Sequence, residues 1–236
     1  MKNTLVYLVA ASASVGCLFA QGFSENFEKA ADGSVLGSHS LAGWHQEGNA
    51  SEEGGRFTGE AAYSSGRGLR LAERETFAVF QTEKPFWTKI DGAASFSMTF
   101  RLTGKMPIDI CLHNGSTSFG FYISINNRKG ELVLSQGGGE SAFRGDTAGH
   151  PLTGLEEGVW YTLEIRDINL DAEPASGKVY LYEASSPSNL LVDGLNIVAS
   201  GNQSLAGLRA FVMRRFGSTT DLLDVDDVSL KAATAQ

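Results

Sequence analysis

Between positions 95 and 102 the side chains alternate: Phe96, Met98, Phe100 and Leu102 point one way, Ser97, Thr99 and Arg101 the other. A period of two is the repeat of an extended chain with one buried face, whereas a helix groups apolar residues at three and four. The pattern recurs along the chain. Ile108, Ile110 and Leu112 oppose Asp109, Cys111 and His113. Phe119, Phe121, Ile123 and Ile125 form a row, as do Val159, Tyr161, Leu163 and Ile165, and Val179 and Leu181 oppose Tyr180 and Tyr182. Segments 68–72, 76–81, 131–135, 208–213 and 222–230 read as further strands, while 190–198 reads ambiguously. The polar, Gly-rich stretch 136–154 reads as one long surface loop. Ten or more short strands separated by turn residues, with no helical segments between them, predict an all-β fold, an antiparallel two-sheet sandwich or barrel. No repeat at a solenoid or propeller period is visible.

Composition removes several functions. The 236 residues are 42% hydrophobic with fourteen Phe, enough for one sizeable core. The formal charge is −8 and no Lys/Arg run exists, so nucleic acid is not an expected partner. The same acidity argues against anionic polysaccharides unless a local basic patch overcomes it. No apolar stretch of about 20 residues occurs past the N-terminus, so no membrane-spanning segment is expected in the mature chain. Lys2, the apolar run 5–13 and the small residues leading to Ala20-Gln21 have the layout of a secretory signal peptide. Residues 1–20 therefore read as the signal, 21–231 as one sandwich domain and 232–236 as a C-terminal tail. The expected location is secreted, extracellular or periplasmic. An alternative is a degenerate lipobox, Ser14-Val15-Gly16-Cys17, with lipid anchoring at Cys17.

The two ends of the mature chain carry a resemblance. It opens Phe23-Ser24-Glu25-Asn26-Phe27-Glu28, then Gly33 and Trp44, and closes Asp224-Val225-Asp226-Asp227-Val228-Ser229-Leu230. Between them lie Gly158-Val159-Trp160-Tyr161-Thr162-Leu163-Glu164-Ile165 and Lys178-Val179-Tyr180-Leu181-Tyr182. This order resembles the jelly-roll sandwiches of the concanavalin A-like lectin/glucanase group (LamG-like domains among them) and jelly-roll carbohydrate-binding modules. The resemblance implies a jelly-roll β-sandwich with first and last strands side by side. It also implies a structural calcium at which Glu28 would meet Asp226 or Asp227; the other reading of these acids is a solvated strand end.

The glucanases of that group carry E-x-D-x-x-E on one strand, which places two carboxylates about 5 Å apart across the bond they cleave. The motif is absent here, and Glu164…Asp167 and Glu73…Glu75 do not replace it. Lyase-type motifs are absent as well, although His113 and Tyr122 would approach each other if their strands pair. No catalytic residue is therefore assigned. His39, His45, His113 and His150 lack metal-ligand spacing.

Sugar recognition needs aromatic rings for the C–H face of a pyranose and polar side chains for its hydroxyls. The faces opposite the apolar rows carry Arg101, Asp109, His113, Tyr122, Trp160, Tyr180 and Tyr182. They are the candidate ligand-binding residues, although Trp160 also suits a core or rim anchor. The leading expectation is a secreted, non-catalytic sandwich binding a glycan or extracellular polysaccharide. The alternatives are a glycan-active hydrolase or lyase with atypical catalytic residues, and an adhesion or structural module for protein.

Overall fold

The computed structural model describes residues 23–38, 41, 43–48, 54–81, 94–114, 120–137, 149–169, 172–201, 210–218 and 220–232. The signal segment with Cys17, and His39, Trp87, Phe119 and most of the 136–154 loop, lie outside them. In chain order the strands are β1 Phe23–Glu25, β2 Trp44–Gly48, β3 Gly55–Thr58, β4 Gly68–Leu71, β5 Thr76–Gln81, β6 Ala94–Thr103, β7 Pro107–His113 and β8 Gly120–Asn126. They continue as β9 Glu131–Leu134, β10 His150–Pro151, β11 Trp160–Asn169, β12 Ser176–Glu183, β13 Leu190–Val198, β14 Ala210–Arg215 and β15 Leu222–Ala232.

Two antiparallel sheets form, as the alternation predicts. One runs β13-β12-β11-β6-β15-β4-β3, with β1 also on β15, and the other runs β10-β9-β8-β7-β14-β5-β2. The ambiguous stretch is a strand, pairing with β12 from Ser176↔Val198 to Tyr182↔Leu190. Its pattern is blurred by register shifts at Val179/Leu181 and Leu181/Tyr182, each of which breaks strict alternation. The expected long loop is interrupted by β10, which pairs with Glu131 and Leu132. β1, β2 and β3 carry no alternation long enough to read.

The apolar rows of both sheets face each other. Phe96, Met98, Phe100 and Leu102 of β6 pack toward Ile108, Ile110 and Leu112 of β7 and Phe121, Ile123 and Ile125 of β8, all in one core. Aromatic contacts hold one part of it. Phe96 and Phe211 meet across the sheets at 5.3 Å, and Trp44 lies 5.2 Å from Phe27 and 5.5 Å from Phe80. Such pairs add roughly 0.5–1.5 kcal/mol beyond their buried area.

The chain ends meet on β15. Phe23, Ser24 and Glu25 pair with Leu230, Ser229 and Val228, whereas Leu71, Arg70 and Leu69 of β4 pair with Leu223, Asp224 and Val225. On one side, β15 thus changes neighbour from β4 to β1 at Asp226–Asp227. The pairing with β6 shifts register at the same place, and Asp227 takes a left-handed φ of 49°. This bulge shapes the site described next.

Candidate functional site

The outer face of the larger sheet is polar and aromatic. Pairing sets Trp160, Arg101, Asp224, Arg70 and Arg56 in one row across β11, β6, β15, β4 and β3. The next row is Tyr182, Thr162, Thr99 and Asp226, followed by Tyr180, Glu164, Ser97 and Ser229. Four of the seven predicted ligand residues, Arg101, Trp160, Tyr180 and Tyr182, therefore share this face. Neither Trp160 nor either of these tyrosines lies between the sheets; Tyr161 does, and its hydroxyl donates to Gly154 O and accepts from Glu156 N.

Charge pairs hold the face rigid. Asp224 is only 1% exposed, and its carboxylate takes Arg70 Nε at 2.7 Å and Arg101 Nη2 at 2.6 Å. Arg70 also pairs with Glu60. The Asp224 hydrogen bond outweighs burial and holds the Arg70 guanidinium above its usual pKa. The Arg101 guanidinium lies 4.8 Å from the Trp160 ring, and that of Arg166 4.2 Å from the Tyr180 ring. Burial alone would lower the pKa of Arg166, but Glu164, 2.6 Å from its Nε, raises it. The same Glu164 accepts from the Tyr182 hydroxyl at 2.9 Å. Burial first, then that carboxylate, push the Tyr182 phenol up to about 12.

A loop that sequence reasoning missed folds over this face. Thr58 caps the short 3-10 turn Gly59–Ala61, and the chain then runs through Tyr63, Ser64 and Ser65 to β4. Gly68, at the start of β4, ends the loop under a steric demand, because a Cβ there would sit 1.9 Å from Ala61 O. Asp226 Oδ2 accepts from Tyr63 N at 2.9 Å, Ser64 N at 3.2 Å and Ser65 Oγ at 3.0 Å. Asp227 accepts from Ser64 Oγ, and Glu28 Oε1 from Gly66 N and Arg67 N. Burial pushes the Asp227 carboxyl up, with Asp226 adding to it against the Ser64 hydrogen bond. The clasped loop carries Tyr63, 40% exposed, whose ring lies 5.4 Å from that of Trp160. Nothing in 62–67 alternates, and the only local hint is its Ser/Gly content.

The resemblance brings Glu28, Asp226 and Asp227 together at a calcium. The structure brings all three to one loop, but their oxygens meet hydrogen-bond donors there. A cation needs six to eight oxygen ligands and repels N–H groups, so one held by these three carboxylates would have to displace the loop's donors. Alternation allowed only one of the adjacent pair to face inward; the bulge lets both serve the loop. Among the described residues no group of three or more His, Cys, Asp or Glu gathers as a metal site.

The other three predicted residues lie on the outer face of the smaller sheet. Asp109, Cys111 and His113 alternate along β7, and on β8 Tyr122 stands opposite Cys111 and Gly120 opposite His113. Asp109, His113 and Tyr122 are all buried. Val79, Cys111, Tyr122 and Val212 form a second apolar cluster with Phe77. Arg101, on β6, is on the opposite sheet from His113. Cys111, between Asp109 and His113, is buried.

The protein is thus an antiparallel jelly-roll β-sandwich, with a stacked aromatic–guanidinium face on its larger sheet. No family model and no curated protein matches the sequence. Solved structures match the fold. The VIP36 exoplasmic/lumenal domain, in its Ca2+/Man2-bound form, superposes with a TM-score of 0.55 at 11% identity, covering 92% of this chain and 89% of that one. The Emp46p carbohydrate recognition domain, in a metal-free form, gives 0.54 at 13% identity, covering 92% and 99%. The marine PL-14 alginate lyase from Aplysia kurodai gives 0.54 at 12% identity, covering 89% and 98%. Among the described residues no helix is long and apolar enough to cross a membrane.

Proposed function

We propose that this chain is a secreted, non-catalytic sandwich that binds glycan on the outer face of its larger sheet. One observation carries the reading: Trp160, Tyr63 and Tyr180 are accessible rings on one face, with Arg101, Glu164 and Arg166 fixed beside them. Rings take the C–H face of a pyranose, and charged groups already held in place read hydroxyls at little entropic cost. The two lectin-type neighbours, one named with bound Man2 and one as a carbohydrate recognition domain, support it. The Lys2-led apolar N-terminus supports export. Calcium enters through the Ca2+-bound VIP36 neighbour alone. At the closing strand a cation would have to displace the loop's N–H donors from Asp226. The test is affinity electrophoresis of the purified protein through gels holding neutral polysaccharides. Retardation that disappears in Trp160→Ala supports the reading, and equal mobility in every gel overturns it.

A second reading has its own observation. An acid, an imidazole and a phenol share one face of the neighbouring strands β7 and β8, as Asp109, His113 and Tyr122, and the alginate lyase shares the fold. On this reading the chain acts on glycan from the smaller sheet, with Tyr122 or His113 moving the proton. Incubation with alginate, followed by the ultraviolet absorbance of unsaturated uronate ends, decides it.

A further inference from the structure

Four turns converge at one end of the sandwich. Arg74 lies between β4 and β5, Lys105 between β6 and β7, Arg128 between β8 and β9, and Phe216–Ser218 between β14 and β15. Three of these turns carry the chain from one sheet to the other, so their meeting is a product of the jelly-roll winding. Between them is a cleft of about 440 Å³ lined by Arg74, Lys105, Pro107, Arg128, Phe216, Gly217 and Ser218. That volume lies within the roughly 300–1,000 Å³ of small-molecule clefts.

The charged lining is wholly cationic, in a chain whose formal charge is −8. Lys105 and Arg128 are exposed, and among the described residues neither is engaged by an acid. Arg74 shares Glu75 at 3.5 Å with most of its side chain in water. The nearby Asp221 accepts from Ser218 N at 2.9 Å, and its carboxylate lies beside Gly217 of the lining. It also fills the space beside Gly104, whose φ of +92° admits no other residue easily. Phe216 is half-buried, supported by Phe77 with ring centroids 6.3 Å apart, and Phe216 N donates to Pro107 O. The cleft thus joins an apolar ring wall to converging cations. Like charges crowded at a recess raise the local potential and concentrate an anion there.

We propose that this end cleft is an anion-binding subsite for an acidic saccharide, with Lys105 and Arg128 holding its carboxylate or sulfate and Phe216 lying against the sugar ring. Arg128 offers the fork that pairs two oxygens at once, and Lys105 a point charge beside it. The subsite is separate from the aromatic face of the larger sheet and does not depend on it. It also supplies the local basic patch that the overall acidity of the chain would otherwise argue against.

The experiment is NMR titration of the mature protein at low ionic strength with glucuronate, sulfated glucose, inorganic phosphate and glucose. Glucuronate or sulfated glucose is expected to shift the amides of the four turns, with an affinity that falls as salt is added. Lys105→Gln/Arg128→Gln is expected to weaken that binding at least tenfold, and Arg128→Lys to retain more of it than Arg128→Gln. Both positions are exposed, so thermal unfolding of the variants should match the parent and exclude misfolding as the cause. No anionic probe shifting these turns, or binding that survives the double variant, would overturn the subsite. Inorganic phosphate binding as tightly as the acidic sugars would overturn the saccharide assignment. Absence of neutral-glycan binding in gels speaks only to the larger-sheet face, so the two readings fail separately.

Discussion

Arg101 and Asp224 face each other across the β6–β15 pairing, with Nη2 2.6 Å from Oδ2, and Asp224 has no solvent of its own. Because Arg70 closes on the same carboxylate, one acid fixes two guanidiniums, and one of them lies on Trp160.

Asp224→Asn should therefore harm both stability and binding. It leaves two cations facing each other over a group that no longer neutralises them. Breaking a fully buried pair costs about 3–5 kcal/mol; here both guanidiniums keep a fifth or more of their surface in water, so about 2–3 kcal/mol is expected in urea unfolding. Glycan retardation should weaken with it, since Arg101 loses its hold beside Trp160.

The loop clasp makes a prediction about metal. Asp226→Ala removes the acceptor of three backbone N–H groups, those of Tyr63, Ser64 and Asp227, and one hydroxyl. About 2–3 kcal/mol of destabilisation is expected, with faster amide exchange at Tyr63 and Ser64. Because those donors already occupy the carboxylate, EDTA and excess calcium should give the same melting temperature in the parent. A calcium-dependent rise abolished by Asp226→Ala would restore the cation site.

Tyr182 sets a pH window. Its phenol is raised from the ordinary 10 to about 12 by burial and by Glu164. A group raised in the fold contributes stability that is complete below its unfolded value and is lost as pH rises through its folded one. Stability should therefore fall between pH 10 and 12, and Tyr182→Phe should flatten that part of the profile. At neutral pH the variant should lose about 1 kcal/mol with its hydrogen bond to Glu164. Chemical denaturation on both sides of pH 10 measures this.

Export has a mass-spectrometric signature. The polypeptide recovered outside the cytoplasm of an expressing bacterium should begin at Gln21. A diacylated N-terminal Cys17 would assign the lipobox instead.

The alternation of the chain determined which side chains leave the core. Arg101, Asp109, His113, Tyr122, Trp160, Tyr180 and Tyr182 all stand opposite the apolar rows, because period two is a local property of an extended backbone. The pairing of the chain ends was legible only through the family resemblance, because residues 23–25 are too short a stretch to show alternation. Tyr63 was not legible, because its position depends on hydrogen bonds to Asp226, 163 positions away.

Only the tertiary structure decided which of those outward faces belong together. β6 and β7 follow each other in the chain yet lie in opposite sheets, so Arg101 and Asp109, eight positions apart, end on opposite sides of the molecule. Sheet membership follows from pairing between distant strands, such as β6 with β15 and β7 with β14, and no window of sequence contains both partners. The same holds for the bulge that turns Asp226 and Asp227 onto one loop and for the four turns that gather Arg74, Lys105 and Arg128. Local periodicity follows from the geometry of one strand, while a site on a sandwich follows from how the strands are wound.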